Sequence, residues 1–322
     1  MPIQQMLLGT GGVSEVTGQF LLSGNYTSGY SWTVPADVTS ISVVAIGAGA
    51  GATMGVGGTG YSGAGGALAY ANNIPVTPGA TLTLITQTPN STHTSGFYSS
   101  IAGPASGSQA AWTLKANGGN YRVGGTREAT GNPGSVTSTT PPGGDGGAGA
   151  WTDNWGFLVA WAGGGGAGGY GAAGGRGGYL TNCSGWGCTA TFYAAGTGGN
   201  GGGGGGGHGK HSTYRGGGGG GTAPYGQGTG GSGGASQTGG GNGNGTRGQG
   251  GSYVSGLSGG TPTTNTEDGD ECWDGGEFGG GCGTAQTWTL YSGTEPEPGK
   301  GCVRIIWPGD SRQFPSTRTA DE

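Results

Sequence analysis

Between Gln19 and Val123 the apolar residues fall into short alternating segments, Gln19–Leu22, Tyr30–Val34, Ser40–Ile46, Leu68–Tyr70, Ala80–Gln87 and Ala111–Lys115, separated by Gly, Pro and Asn. Alternation over about four to eight residues, bounded by turn formers, is the signature of half-buried strands. Pro35, Pro75 and Pro78 sit between these segments, where a missing N–H does not interrupt a ladder. No window of a dozen residues combines a 3.6-residue period with capping residues, so almost no α-helix is expected. Two later segments, Thr287–Tyr291 and Cys302–Trp307, are also strand-like. An isolated hairpin is marginal in water, so they are expected to complete the N-terminal sheet.

From about Gly143 to Gly283 the pattern changes to glycine runs interrupted by short aromatic, charged and cysteine-bearing clusters. The chain has 90 Gly and 15 Pro in 322 residues, about a third of the total against a usual sum near 12%. Collagen is excluded, because runs such as Gly201–Gly207 break the triplet and proline is scarce. Such a segment either remains a flexible linker or recovers the entropy of ordering glycine through dense backbone hydrogen bonding. The second alternative implies extended left-handed helices with three residues per turn, whose N–H and C=O groups pair only with neighbouring chains. Gly201–Gly207 would then span roughly 22 Å and Gly216–Gly221 roughly 19 Å.

The expectation is therefore an all-β protein: a β-sandwich from residues 17–142 plus 284–308, with a polyglycine-II bundle of residues 143–283 inserted before its last strands. Residues 1–16 read as an N-terminal attachment segment and 309–322 as a C-terminal tail. Glycine rods supply few side chains, so recognition falls to the loops at their ends. The candidates are Tyr179, Trp186, Phe192, Tyr193, His208, His211, Tyr214, Arg215, Tyr225, Trp273 and Phe278.

Composition narrows the chemistry. Charged residues make up 8% of the chain and the formal net charge is −5, so no basic stripe exists for nucleic acid. The opening residues lack the basic region of a signal peptide, and no apolar run approaches a membrane span. Four Asn-X-Ser/Thr sequons read as accidents of composition. Gly230–Gly234 fits a G-x-S-x-G elbow but lies between no strand and helix, the context that motif requires. With three His in all and no nucleophile, base and orienting acid in one segment, neither catalysis nor a cofactor is expected. Local disulfides Cys183–Cys188 and Cys272–Cys282 would stiffen two loops, leaving Cys302 unpaired on a strand. The spacings do not suit structural zinc. The acidic run Glu267–Glu277 fails the EF-hand pattern because position 279 is glycine; an irregular calcium site at Asp268, Asp270 and Asp274 competes with a solvated loop.

The segments Met1–Gly9, Trp32–Gly47, Gly65–Gly79 and Cys302–Thr317 resemble glycine-rich virion structural proteins of tailed phages, especially those of marine cyanobacteria. The glycine texture of Gly143–Gly283 is similar to that of the distal tail-fibre adhesins of T-even-like phages, whose polyglycine-II sandwiches present variable loops. The N-terminal part departs from those adhesins, so attachment to a long tail fibre does not carry over. The resemblance implies a non-enzymatic virion protein, exposed outside the cell after lysis, acting as a tail-fibre or baseplate adhesin. Its partners would be a host-surface glycan or outer-membrane protein and other virion subunits, with an oligomer possible. The alternative is a passive tail or capsid decoration or assembly protein.

Overall fold

A computed structural model describes residues 3–6, 17–52, 60–89, 97–105, 110–120, 123–131, 138–152, 160–181, 191–207, 209–210, 216–235, 250, 274–284 and 297–316. The elements are β1 (Ile3–Met6), β2 (Gly18–Ser23), β3 (Tyr26–Thr33), β4 (Ser40–Ile46), β5 (Gly60–Tyr61), β6 (Leu68–Pro75), β7 (Thr81–Thr86), β8 (Ser99–Gly103) and β9 (Trp112–Ala116). They continue with β10 (Arg127–Thr130), β11 (Gly143–Gly144), β12 (Trp151–Thr152), β13 (Ala160–Trp161), β14 (Tyr179–Thr181), β15 (Thr191–Tyr193), β16 (Gly209–Lys210) and β17 (Cys302–Trp307). Among the described residues there is no helix.

Two antiparallel sheets face each other, a six-stranded one in the order β1-β2-β17-β4-β6-β11 and a five-stranded one in the order β10-β9-β8-β7-β3. Between them lie Phe20, Trp32, Ile41, Val43, Leu84, Leu114, Val303, Ile305 and Trp307. The last strand sits between β2 and β4, with Ile305 opposite both Phe20 and Val43. Every residue of β4 and of β17 is buried. These strands are covered on both faces, and their sequences accordingly run apolar instead of alternating cleanly. The expected strand Thr287–Tyr291 lies outside the described residues.

The second cover is glycine. Residues 163–169 run extended, and their N–H groups address three neighbours in rotation. Gly163, Gly166 and Gly169 donate to Gly178, Gly175 and Ala172; Gly164 and Ala167 to Gly217 and Gly220; Gly165 and Gly168 to Gly63 and Gly66, all at 2.8–3.0 Å. Carbonyls of the same segment accept from Gly147, Gly203, Gly206 and Gly281, so six extended segments surround it. A three-residue turn points successive amides about 120° apart, and this repeat is the polyglycine-II pattern. Residues 216–222 repeat it, donating at every third position to Thr284, Gly281 and Phe278 and from Gly217 and Gly220 to Gly207 and Gly204.

The rods are not confined to residues 143–283. Residues 47–52 continue β4, 62–67 lead into β6 and 117–120 continue β9, all inside the span expected to be pure sandwich. The β4–β6 ladder passes into the bundle through Gly47 to Ala67 and Ala50 to Ala64, where spacing by two gives way to spacing by three. A methyl group at Gly166 would overlap the carbonyl oxygen of Gly203, so the lattice admits only hydrogen at that position.

The bundle meets the outer face of the six-stranded sheet through Tyr170, Ala223, Phe278 and Phe314, packed on Val44, Ile46, Leu68, Cys302 and Ile306. Tyr170 stacks on Phe314 at 6.0 Å, donates its hydroxyl to the Ala223 carbonyl and accepts from the Gly226 N–H, both at 3.0 Å. Arg304, fully buried, donates from Nε to Gln19 Oε1 at 3.0 Å and from Nη1 to the Pro224 carbonyl at 3.1 Å. Residues 309–316, expected as a tail, instead lie along the sheet. Asn72 and Phe314 exchange side-chain and backbone hydrogen bonds, and Arg312 donates to the Gly18 carbonyl at 2.7 Å.

Burial sets the titration of this joint. It pushes the Tyr170 hydroxyl and the Cys302 thiol well above their ordinary values and lowers Arg304 to about 10. The unfolded chain gives up the Tyr170 proton near 10.0 and the folded chain does not, so stability falls as pH rises past that point; Cys302 acts with the same sign above 9.0. Arg304 has the opposite sign above about 10, where the unfolded chain holds the extra proton.

Two outcomes follow from this packing. Gly166→Ala is expected to cost about 2–3 kcal/mol by overpacking and to lower the thermal transition by several degrees, whereas Ala173→Ser, on an exposed position, stays within about 0.5 kcal/mol. Tyr170→Phe removes two buried hydrogen bonds and should cost about 1–3 kcal/mol at pH 7. Denaturant titrations at pH 7, 9 and 10.5 should show wild-type stability falling with pH and the Tyr170→Phe variant falling less steeply.

Candidate functional site

The rods deliver the chain to a group of two-stranded ribbons at the end of the bundle away from the sheet. Residues 145–150 lead into β12, which pairs with β5; β13, paired with β16, opens the rod 162–169; and residues 172–178 lead into β14, which pairs with β15. β12, β13 and β14 pack beside one another, so the three ribbons form one cluster. Glycine cannot supply this end with side chains, and the first residues after each rod do so.

At the β14–β15 ribbon Tyr179 stands opposite Tyr193. Their rings lie parallel within 2° at a centroid distance of 4.3 Å, and the Arg176 guanidinium carbon lies 4.2 Å from the Tyr179 ring centre. Both layers cannot occupy one face of Tyr179 at these distances, so the ring is sandwiched between the guanidinium and the other tyrosine. Arg176 is exposed, Tyr179 half-buried and Tyr193 41% exposed. Among large apolar side chains of the described residues only Val123 shares that degree of exposure. The three groups form a short ladder at the surface.

Of the residues expected to contact a partner, the structure thus brings Tyr179 and Tyr193 together. Phe192 lies on β15 opposite Leu180. Two others belong elsewhere. Phe278 is 7% exposed and packs on the outer face of the six-stranded sheet, because its apolar ring fills the joint between sheet and rods. Tyr225 is half-buried at that same joint, with the Arg304 guanidinium 5.1 Å from its ring centre; it lies at the sheet end of rod 216–222, not at the ribbon end. Both are corrections to the loop assignment. Trp186, His208, His211, Tyr214, Arg215 and Trp273 lie outside the described residues, as do Cys183, Cys188 and Cys272. Cys282 is buried beside Ala52, and Cys302 is a buried free thiol on β17. Asp268 and Asp270 also lie outside; Asp274 is exposed and accepts the Glu297 N–H at 2.8 Å.

Sequence reasoning missed Arg176. The signal was present: in a rod of three residues per turn, positions 176 and 179 fall on one side, so a lone arginine three residues before a tyrosine is aligned with it.

Set against known protein families, curated proteins and solved structures, the chain matches none.

A double-mutant cycle tests the ladder. Tyr179→Ala and Tyr193→Ala together should cost less than the sum of the single changes, with a coupling of about 0.5–1.5 kcal/mol in denaturant unfolding. Additive losses would show that the rings do not stack in solution.

Proposed function

We propose that this protein is a non-enzymatic phage virion component whose sandwich docks to the particle and whose glycine bundle presents a receptor-contacting end to a host surface. One observation carries the reading: a hydrogen-bonded glycine lattice ends in a cluster of ribbons bearing two stacked tyrosines, of which Tyr193 is exposed. A lattice whose amides are fixed on several sides gives short loops a firm base, and binding residues concentrate on loops held by rigid scaffolds. Tyrosine suits the role because its flat face covers a partner at low entropy cost. The expected partners are a host-cell glycan or outer-membrane protein on one side and other virion subunits on the other.

The second reading is a decoration or assembly protein. It is favoured by β1, which among the described residues sits at the sheet edge and pairs with β2 alone, a position where a neighbouring subunit can add or exchange a strand.

Adsorption separates the two. Purified wild-type protein should bind marine cyanobacterial host cells, and combined Trp186→Ala and Tyr214→Ala substitutions should abolish binding with the thermal transition nearly unchanged. Adsorption that survives, or particles that fail to assemble, would favour the decoration reading.

A further inference from the structure

We infer that a side chain at every third position of the outer glycine rods ends the hydrogen-bonded lattice, and that without these side chains the same face would take up the rods of a second copy of this chain.

Inner and outer rods differ in sequence. Residues 201–207 and 216–221 are all glycine and all buried. Residues 173–178 read instead as Ala-Gly-Gly-Arg-Gly-Gly, 229–234 as Thr-Gly-Gly-Ser-Gly-Gly, 194–199 as Ala-Ala-Gly-Thr-Gly-Gly and 145–150 as Asp-Gly-Gly-Ala-Gly-Ala. A period of three is one turn of such a rod, so the larger residue of each repeat returns to the same side. That side is the outer one: Ala173, Arg176, Ala194, Thr197, Thr229 and Ser232 are all exposed. Most positions between them admit no side chain. A Cβ at Gly174, Gly175, Gly177, Gly198, Gly230 or Gly233 would come within 1.8–2.3 Å of a neighbouring carbonyl oxygen.

The outer rods lie side by side. Gly174 and Gly177 donate to Asp145 and Ala148, Gly196 and Gly199 to Arg176 and Ala173, and Gly198 to Gly231. Gly175, Gly178, Gly231 and Gly234 address the inner rod, at Gly203, Gly206, Gly202 and Gly205. The third direction faces water, and the amides of Arg176, Thr197 and Ser232 have no acceptor among the described residues. A lattice of this kind has no built-in limit, because a surface rod carries the same donors and acceptors as an interior one. It poses the problem of an open sheet edge, where unpaired backbone groups recruit another chain. Here a Cβ on each turn holds an incoming rod beyond the close approach that N–H···O and Cα–H···O contacts need. One methyl group per turn is enough, so Ala173 and Ala194 serve as well as Arg176 and Thr197.

Two variants of the full chain test this. The first carries Ala173→Gly, Arg176→Gly, Ala194→Gly, Thr197→Gly, Thr229→Gly and Ser232→Gly; the second carries Arg176→Ala, Thr197→Ala, Thr229→Ala and Ser232→Ala and so keeps a Cβ on every turn. In sedimentation equilibrium over a broad concentration range, the glycine variant should associate beyond the wild-type state, increasingly so at higher concentration. The alanine variant should match wild type. A folded glycine variant that keeps the wild-type state, or an alanine variant that associates as strongly, would overturn the inference. If the glycine variant does not fold, amide exchange of the wild-type chain decides. Arg176, Thr197 and Ser232 should exchange at unprotected rates beside protected Gly175, Gly177, Gly198 and Gly231. Equal protection at all seven would show that the face is already covered, which also overturns it.

Discussion

A backbone amide inside the glycine bundle has to find its acceptor on another segment, because an extended chain with three residues per turn makes no hydrogen bond to itself. That requirement shapes the molecule. In residues 163–169 each N–H turns about 120° from the last, so the segment needs three acceptor neighbours and offers carbonyls to three more. No single rod is stable alone, and the bundle exists only as a lattice. Glycine is what permits it, since a Cβ at Gly163, Gly165 or Gly219 would fall on a neighbouring carbonyl oxygen. The entropy lost in ordering glycine is offset by the hydrogen bonds that the rods exchange, every N–H of residues 163–169 among them.

The lattice also needs an anchor, and the sandwich provides it. β4 and β17 present Ile41, Val43, Val303 and Ile305 to one core and Val44, Ile46 and Ile306 to the other. The same two strands thus hold a side-chain core on one face and a glycine bundle on the other. Rods such as 47–52 and 62–67 are the continuations of sheet strands, so sheet register passes into rod register without a linker. Tyr170, Arg304 and Phe314 seal the seam, where side chains are large enough to pack and polar enough to cap rod carbonyls.

Much of this was legible in the sequence, and the misses have physical causes. Ser40–Ile46 and Cys302–Trp307 coincide with the strands expected there, because most of their apolar residues are β-branched or aromatic and the segments are bounded by turn formers. β8 escaped notice since Ser99, Ser100 and Ala102 carry no apolar alternation, and β10 because Ala129 is its one buried side chain. Composition revealed the rods but misplaced their limits: Gly47–Ala52 contains alanines whose methyl groups fit the lattice, and so it fell inside the span assigned to the sandwich. At the candidate site, the aromatic type of Tyr179 and Tyr193 was visible, whereas their pairing depends on the register of β14 against β15. Tyr225 and Phe278 carried the same aromatic signal yet serve the joint, because ring chemistry alone does not distinguish a seam from a contact surface.

Bundle, seam and ribbons all depend on the glycine rods being a hydrogen-bonded lattice in solution. Amide hydrogen exchange resolved to single residues tests this most directly. Protection at Gly163–Gly169, at Gly203, Gly205 and Gly206, and at Gly216, Gly217, Gly219 and Gly220 comparable to that of Val43–Ile46 and Val303–Ile306 is the predicted result, since these amides pair with other rods as strand amides pair with other strands. Exchange at unprotected rates throughout the rods, with the strands still protected, would contradict it.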